Sequence, residues 1–368
     1  MTPPRILHLI HHLRVGGAEV MLTELLPRLR DAGFDVQCAC LDERGPLFDI
    51  LRQRGIRSHC IDRRRGFDPA ATLRLARLLR TERIGILNTH CFSAGFWGRI
   101  AATLARTPRI VTTEHSVAGW HQPRKQRFGN RLLGPLTDRV VAVSDCVRHS
   151  LLGQGLSPAL VVTIHNGILL QRFARTAEPA SQRLSLGLPA TGFFTGMIAR
   201  CSPEKGGESW LRAITQLCRE GADVHGVLVG EGPALRAWKA LAKAEGIDQR
   251  VHYAGPQTDV VPWLGALDAL ICPSSQESFG LAALEAQAAG VPVVATRIDG
   301  FLEVLHDGVD ALLVAVDDPA GLAAAVRSLL QSPARAARLA EAGRRNAALF
   351  SIERTTDRYS ALYRTLLA

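Results

Sequence analysis

Short apolar runs alternate with amphipathic stretches along almost the whole chain, and this alternation constrains the fold more than any other feature. In the first half, residues 5–10, 35–41, 58–61, 84–89, 109–114, 139–143 and 161–165 read as strands. Between them, residues 18–32, 46–54, 69–82, 94–106 and 145–154 carry apolar positions at helical spacing. The pattern then repeats, with strands at 193–199, 225–229, 251–254, 269–272 and 292–295 and helices at 207–220, 233–245, 279–289 and 319–330. Strands separated by single helices form βαβ units, so the expected fold is α/β, built on parallel sheets with helices on both faces. In such sheets ligands bind at the carboxyl ends of strands, where a loop opens the next helix.

The chain has 368 residues, long enough for two cores. A polar, proline-containing segment, 175–181, has the makeup of a connector. Two doubly wound domains are therefore expected, at 1–175 and 176–350, followed by a helical tail in which Ser351 marks a fresh helix start. The last helix, 351–368, is expected to leave the second domain and pack toward the first. No run of 18 apolar residues exists, and the apolar start is too short and too quickly followed by His11, His12 and Arg14 for a signal peptide. A cytoplasmic protein is the expectation. The cysteines, single except for Cys38 and Cys40 at strand spacing, read as reduced buried thiols.

The net charge of +10 is unevenly distributed. Residues 1–175 hold 26 Lys and Arg against 13 Asp and Glu, whereas residues 176–368 hold 18 against 21. A basic first half points to an anionic partner such as a membrane surface, a phosphorylated lipid or a nucleic acid, or to no more than an arginine-rich solvated face.

Three strand-to-helix loops carry candidate chemistry. Gly16 and Gly17 follow the first strand, where small residues let an anionic ligand approach the backbone and a helix N-terminus. Arg200 and Lys205 flank a tight turn after strand 193–199, able to converge on a diphosphate. Lysine is informative there because the chain has only four: Lys125, Lys205, Lys239 and Lys243. The third loop, Pro273 to Leu281, ends in Glu277, Ser278, Phe279, Gly280 and Leu281, with Glu285 further along the helix. Amides at Gly280 and Leu281 offer an anion site, and two carboxylates beside it suit a ligand with hydroxyls at both ends and phosphates between, such as a nucleotide sugar.

These motifs resemble those of retaining glycosyltransferases of family 4, with the GT-B fold of two facing Rossmann-like domains about a cleft. The most specific element is the E-x7-E pair, Glu277 and Glu285. The resemblance implies that Glu277 contacts the transferred sugar, Glu285 the nucleotide ribose, Arg200 and Lys205 the pyrophosphate, and the amides near Gly280 and Leu281 the diphosphate or sugar. It also implies that His115, at the end of strand 109–114, reaches the donor sugar. His90, at the end of strand 84–89, is a candidate for acceptor contact. Where many members have Gly-Gly before x-x-Glu, this chain reads Asp299, Gly300, Phe301, Leu302, Glu303.

No Asp-x-Asp occurs and the histidines lack zinc spacing, so no metal and no cofactor is expected. A basic stretch with Arg124, Lys125 and Arg127 between Trp120 and Phe128, together with Arg63, Arg64 and Arg65, offers an acceptor-side or anionic membrane contact. The expected activity is metal-independent, retaining transfer of a hexose from a nucleoside diphosphate sugar, UDP favoured over GDP, to a glycan or lipid-linked glycan in bacterial cell-envelope polysaccharide or lipopolysaccharide assembly. A peripheral position on the inner face of the cytoplasmic membrane would accompany it. A GT-B nucleotide-sugar epimerase and a basic nucleic-acid-binding module remain as alternatives, the second disfavoured by 5% aromatic content.

Overall fold

The computed structural model describes residues 3–64, 66, 68–117, 123–174 and 178–368, with the side chains of 123–127 excepted. Two compact units result: Met1–Ile168 with Ile352–Ala368, and Leu169–Ser351.

The first unit holds a seven-stranded, wholly parallel sheet: β1 (Arg5–His12), β2 (Asp35–Glu43), β3 (Arg57–Cys60), β4 (Ile86–His90), β5 (Arg109–Glu114), β6 (Arg139–Ala142) and β7 (Val161–Thr163). Its order is β3-β2-β1-β4-β5-β6-β7, so the winding reverses between β1 and β4. One face of β1 and β4 places Leu7, Leu9 and Leu87 against Leu75, Leu79, Ala101 and Ala102 of helices Pro69–Thr81 and Cys91–Ala105. Register sets His8 beside Asn88 and His90 beside Thr113. Because strand side chains alternate, His8, Asn88, His90 and Thr113 share the opposite face. The C-terminal helix Ile352–Leu367 belongs to this unit and buries Tyr359 and Tyr363.

The second unit holds a six-stranded parallel sheet: β8 (Phe193–Ile198), β9 (Val224–Val229), β10 (Val251–Gly255), β11 (Ala269–Cys272), β12 (Val293–Thr296) and β13 (Leu312–Val314). The order β10-β9-β8-β11-β12-β13 reverses between β8 and β11. Its core joins Met197, Leu228 and Ile271 to Trp210, Ile214 and Trp238.

Several local readings need correction. Helix Cys91–Ala105 begins three residues before the expected 94, directly at the end of β4, because Cys91 takes φ 64° and turns the chain at once. The tail, by contrast, breaks into two helices as expected from Ser351: Pro333–Ala347 and Ile352–Leu367. β13 and the short helices Val261–Ala266 and Asp299–Leu302 carry too few residues to show a period. Of the presumed connector, residues 175–177 lie outside the described residues, and Pro179 opens a helix, Pro179–Ser185, at a position proline favours. That helix is anchored by buried Arg183, whose guanidinium donates to Ala266 O at 2.8 Å and Asp268 Oδ2 at 2.6 Å and lies 4.4 Å over the Phe194 ring. Arg183→Leu is expected to destabilise the second unit by about 3 kcal/mol, because it strands the partners of a buried ion pair. Urea unfolding followed through buried Trp210 and Trp238 tests this, an unchanged midpoint being the contrary result.

Candidate functional site

In both units the candidate loops lie where the strand order reverses. In the second unit, the loop after β8 carries Arg200 and Lys205, and the loop after β11 carries Glu277. Two neighbouring parallel strands thus deliver a cation and a carboxylate to one end of the sheet. Lys205 Nζ donates to Glu277 Oε2 at 2.7 Å, both side chains about one-fifth exposed. The loops are tied together by the Ser275 amide donating to Glu204 O at 2.8 Å. Gly206, with φ 70°, brings the lysine turn so close to Pro273 that a Cβ there would overlap the proline carbonyl. Arg200 is placed differently: its guanidinium is 61% exposed and donates to Glu204 Oε1 at 2.8 Å.

Gly280 caps helix Leu281–Ala288 in the left-handed region, φ 86°. Its carbonyl accepts from the amides of Ala283 and Leu284. At a helix start the preceding amides, those of Gly280, Leu281 and Ala282, have no intrahelical acceptor and present partial positive charge. Lys205, Glu277, Gly280, Ala283, Cys272 and Phe301 line a common small, open cavity. Gly300 backs the loop: a Cβ there would meet the Glu277 carbonyl carbon at 2.7 Å. The Asp299–Gly300 departure therefore keeps the glycine that the close approach requires. Phe279 does not offer its ring to this cavity; it is buried, edge-on to Phe350 at 5.6 Å, so any contact it makes with a ligand is through its backbone. Ser278 is buried, and its amide donates to Glu277 Oε1 at 3.0 Å.

Glu285 stands in the second turn of that helix, half-buried. Burial pushes its carboxyl up to about 7, opposed by the positive charge of Arg172. Arg172 lies in the turn Leu170–Phe173 and donates to Asp259 Oδ1 at 3.0 Å. Nothing in the sequence pattern singled out Arg172, because a four-residue turn has no period and its charge partner lies far along the chain.

In the first unit, Gly16 precedes helix Gly17–Asp31 in extended backbone. The helix start is not vacant of acid. The Glu19 carboxylate lies against Gly16, within 3.4 Å of His12 Nδ1, and burial raises its pKa while its own backbone amide and His12 lower it. An anion approaching Gly16 and Gly17 meets this carboxylate first.

His115 and His90 sit together, His90 Nδ1 being 2.9 Å from His115 Nε2. His90 is fully buried and its Nε2 contacts His8 Nδ1 at 2.9 Å, so both its nitrogens are occupied and it does not reach an acceptor directly. His115 is half-buried, with burial lowering its pKa to about 4, and its Nδ1 has no partner among the described residues. His8, Asn88 and Tyr363, which complete this cluster, were not singled out by sequence. For His8 and Asn88 the signal was a polar residue amid the apolar run of β1 and the polar end, Asn88, Thr89 and His90, of β4. The side chains of Arg124, Lys125 and Arg127 lie outside the described residues, as do Arg65 and Trp120.

The comparisons agree on what kind of protein carries this arrangement. The model described as Glycosyltransferase Family 4 matches residues 15–172, and that described as Glycosyl transferases group 1 matches residues 180–346. A D-inositol 3-phosphate glycosyltransferase of Saccharomonospora viridis is 32% identical over 319 residues, covering 79% of this chain and 74% of the relative. The chain belongs to the family 4 glycosyltransferases. Its fold is GT-B. HepE of Anabaena, solved with UDP and glucose, superposes with a TM-score of 0.86 at 22% identity, covering 97% of this chain and 98% of HepE. Sucrose-phosphate synthase from Thermosynechococcus elongatus gives 0.83 at 22% identity, covering 99% of each chain.

For this glycosyltransferase, the raised Glu285 carboxyl has a measurable consequence. The unfolded chain ionises Glu285 above its ordinary value of 4.5, whereas the folded protein holds the proton until about 7. Folding therefore loses stability as pH rises between these values, by up to about 3 kcal/mol. Glu285→Gln is expected to raise the melting temperature of the second unit at pH 8 and to leave it almost unchanged at pH 4.5. An equal change at both pH values would contradict the assignment.

Proposed function

We propose that this enzyme transfers a hexose from a UDP-sugar, without a metal ion and with retention of anomeric configuration, to a hydroxyl acceptor. The observation that carries the reading is the Lys205–Glu277 pair beside the open amides of Gly280, Leu281 and Ala282. A diphosphate arriving at those amides competes with Glu277 for the lysine. Lys205 then neutralises charge on the leaving phosphate, assisted by Arg200, which its high exposure leaves able to swing from Glu204. Glu277, released from the lysine, accepts hydrogen bonds from the sugar hydroxyls. Stabilisation of the charge on the leaving phosphate by these cations and by the fixed helix-start amides is the main source of rate here. Substitution on the front face, with the leaving phosphate taking the acceptor proton, fits a site in which Glu277 is occupied by sugar hydroxyls.

Support for the donor comes from HepE, solved with UDP and with UDP-glucose. The proposed roles of Glu285 at the ribose and His115 at the sugar rest on the family resemblance and on their polar atoms. For the acceptor, two chemistries stand side by side. Relatives named D-inositol 3-phosphate glycosyltransferase favour a phosphorylated cyclic polyol. The basic first half and the exposed Phe128 and Leu132 of helix Pro123–Leu133 favour a lipid-linked glycan at an anionic membrane surface.

Hydrolysis of UDP-glucose, UDP-N-acetylglucosamine and GDP-mannose, each with and without EDTA, tests the donor. UDP-sugar turnover unaffected by EDTA is expected, and loss of turnover on chelation would refute metal independence. Lys205→Ala is expected to lower kcat about 100-fold, the scale for removing one charge-stabilising donor, with a smaller change in KM. An inositol phosphate and a polyprenyl-linked sugar offered as acceptors with the preferred donor then separate the two acceptor chemistries.

A further inference from the structure

Behind His115 runs an unbroken chain of polar contacts that ends in the C-terminal helix. Tyr359 Oη is 3.3 Å from Thr113 Oγ1, and Thr113 Oγ1 donates to Asn88 Oδ1 at 3.0 Å. Asn88 Nδ2 donates to Tyr363 Oη at 2.7 Å, and Tyr363 Oη is 3.2 Å from His8 Nε2. His8 Nδ1 then meets His90 Nε2 at 2.9 Å, and His90 Nδ1 meets His115 Nε2 at 2.9 Å. His8, Asn88, His90 and Thr113 are 0% exposed, as are both tyrosines.

Each neutral imidazole carries one N–H, so each contact has a direction and all must agree. Burial holds His8, His90 and His115 neutral at physiological pH. In one direction, Tyr359 O–H donates to Thr113, Thr113 to Asn88, and Asn88 to the Tyr363 oxygen. The Tyr363 hydrogen is then left for His8 Nε2, which forces His8 Nδ1–H onto His90 and His90 Nδ1–H onto His115 Nε2. His115 is left with its hydrogen on Nδ1. The opposite direction requires the Asn88 amide turned over. It also strands the Tyr359 O–H without an acceptor among the described residues, in a fully buried position where a lost hydrogen bond costs most. The first direction instead spares the fully buried tyrosine and leaves its one unpaired hydrogen on Nδ1 of half-buried His115, just past the end of β5, an atom screened from solvent in the free protein and satisfied only by an acceptor that a ligand brings.

We propose that Tyr363 and Asn88, acting through His8 and His90, are positioning residues that lock His115 as the Nδ1–H tautomer, so that it offers a hydrogen-bond donor and not a lone pair. The locked tautomer is a property of the free protein; only the use of that N–H, to bind a hydroxyl oxygen of the donor sugar, rests on the transferase reading. His8, His90, Asn88 and Tyr363 touch no substrate in this scheme.

Nitrogen-15 NMR of the histidine-labelled, ligand-free full chain tests the lock, since a protonated ring nitrogen is spectroscopically distinct from a bare one. Wild type is expected to show His115 protonated at Nδ1 and bare at Nε2. Tyr363→Phe removes the hydroxyl that fixes the direction, and His115 should then become a tautomer mixture. Tyr359→Phe deletes a hydroxyl from the same helix, but the opposite direction would then strand the Thr113 O–H in its place, so this variant should keep the wild-type spectrum. Nε2 protonation in wild type, or an unchanged tautomer in Tyr363→Phe, overturns the proposal. In UDP-sugar hydrolysis Tyr363→Phe should lower kcat by about tenfold, the scale of one hydrogen bond, with UDP affinity unchanged. Should no UDP-sugar be hydrolysed even by wild type, the transferase reading fails, while the spectrum still decides the tautomer.

Discussion

Each sheet reverses its winding once, and the chemistry of this glycosyltransferase depends on that constraint. Where neighbouring parallel strands send their helices to opposite faces, the loops leaving them separate and open a crevice at the strand ends. In the second sheet the reversal falls between β8 and β11, which is why residues 72 apart in sequence, Lys205 and Glu277, meet at 2.7 Å. In the first sheet it falls between β1 and β4, and the same geometry sets His8 beside His90. Neither pairing depends on local sequence. Both follow from strand order, with glycines only adjusting how closely the loops approach.

Charge is handled differently at the two places. Around Lys205 the groups are partly exposed, paired and opposite in charge, so the pair can be opened by an anion without leaving a bare charge in a dry interior. Around His115 the groups are buried and neutral, and information is held in the orientation of hydrogen bonds instead of in charge. Glu285 and Glu19 fall between these cases. Burial raises the pKa of each, while Arg172 for Glu285, and a backbone hydrogen bond and His12 for Glu19, pull it down, so each carboxyl responds to whatever charge a ligand brings.

The strand and helix alternation made the parallel fold legible, because strands buried on both faces must be apolar almost throughout and their helices must be amphipathic. The second-unit site was legible for a related reason: Lys205, Glu277 and Gly280 sit on strand-to-helix loops, and lysine and glycine in those places have few structural explanations. What escaped the sequence was set by partners remote along the chain. Helix Pro179–Ser185 is too short for periodicity, and its anchor, Arg183, pairs with Asp268. His90 read as an acceptor contact because the strand end is where ligands bind. It is instead covered by His8 and His115, which only the register of β1, β4 and β5 reveals.

The buried polar face of β1, β4 and β5 is an expensive way to fill a core. Apolar residues at positions 8, 88, 90, 113 and 363 would pack as well and bring no requirement for hydrogen bonding. A polar network in a core is tolerable only when nearly every member is satisfied, and one here is satisfied up to its last atom. Such a chain cannot be trimmed at one point without stranding a neighbour, so its members act together. Its terminal atom is also where the network stops being structural, because the N–H at His115 has a direction imposed from within and no protein acceptor described for it. The C-terminal helix, by contributing Tyr359 and Tyr363, thereby determines from the last residues of the chain what a histidine at the end of β5 presents to a ligand.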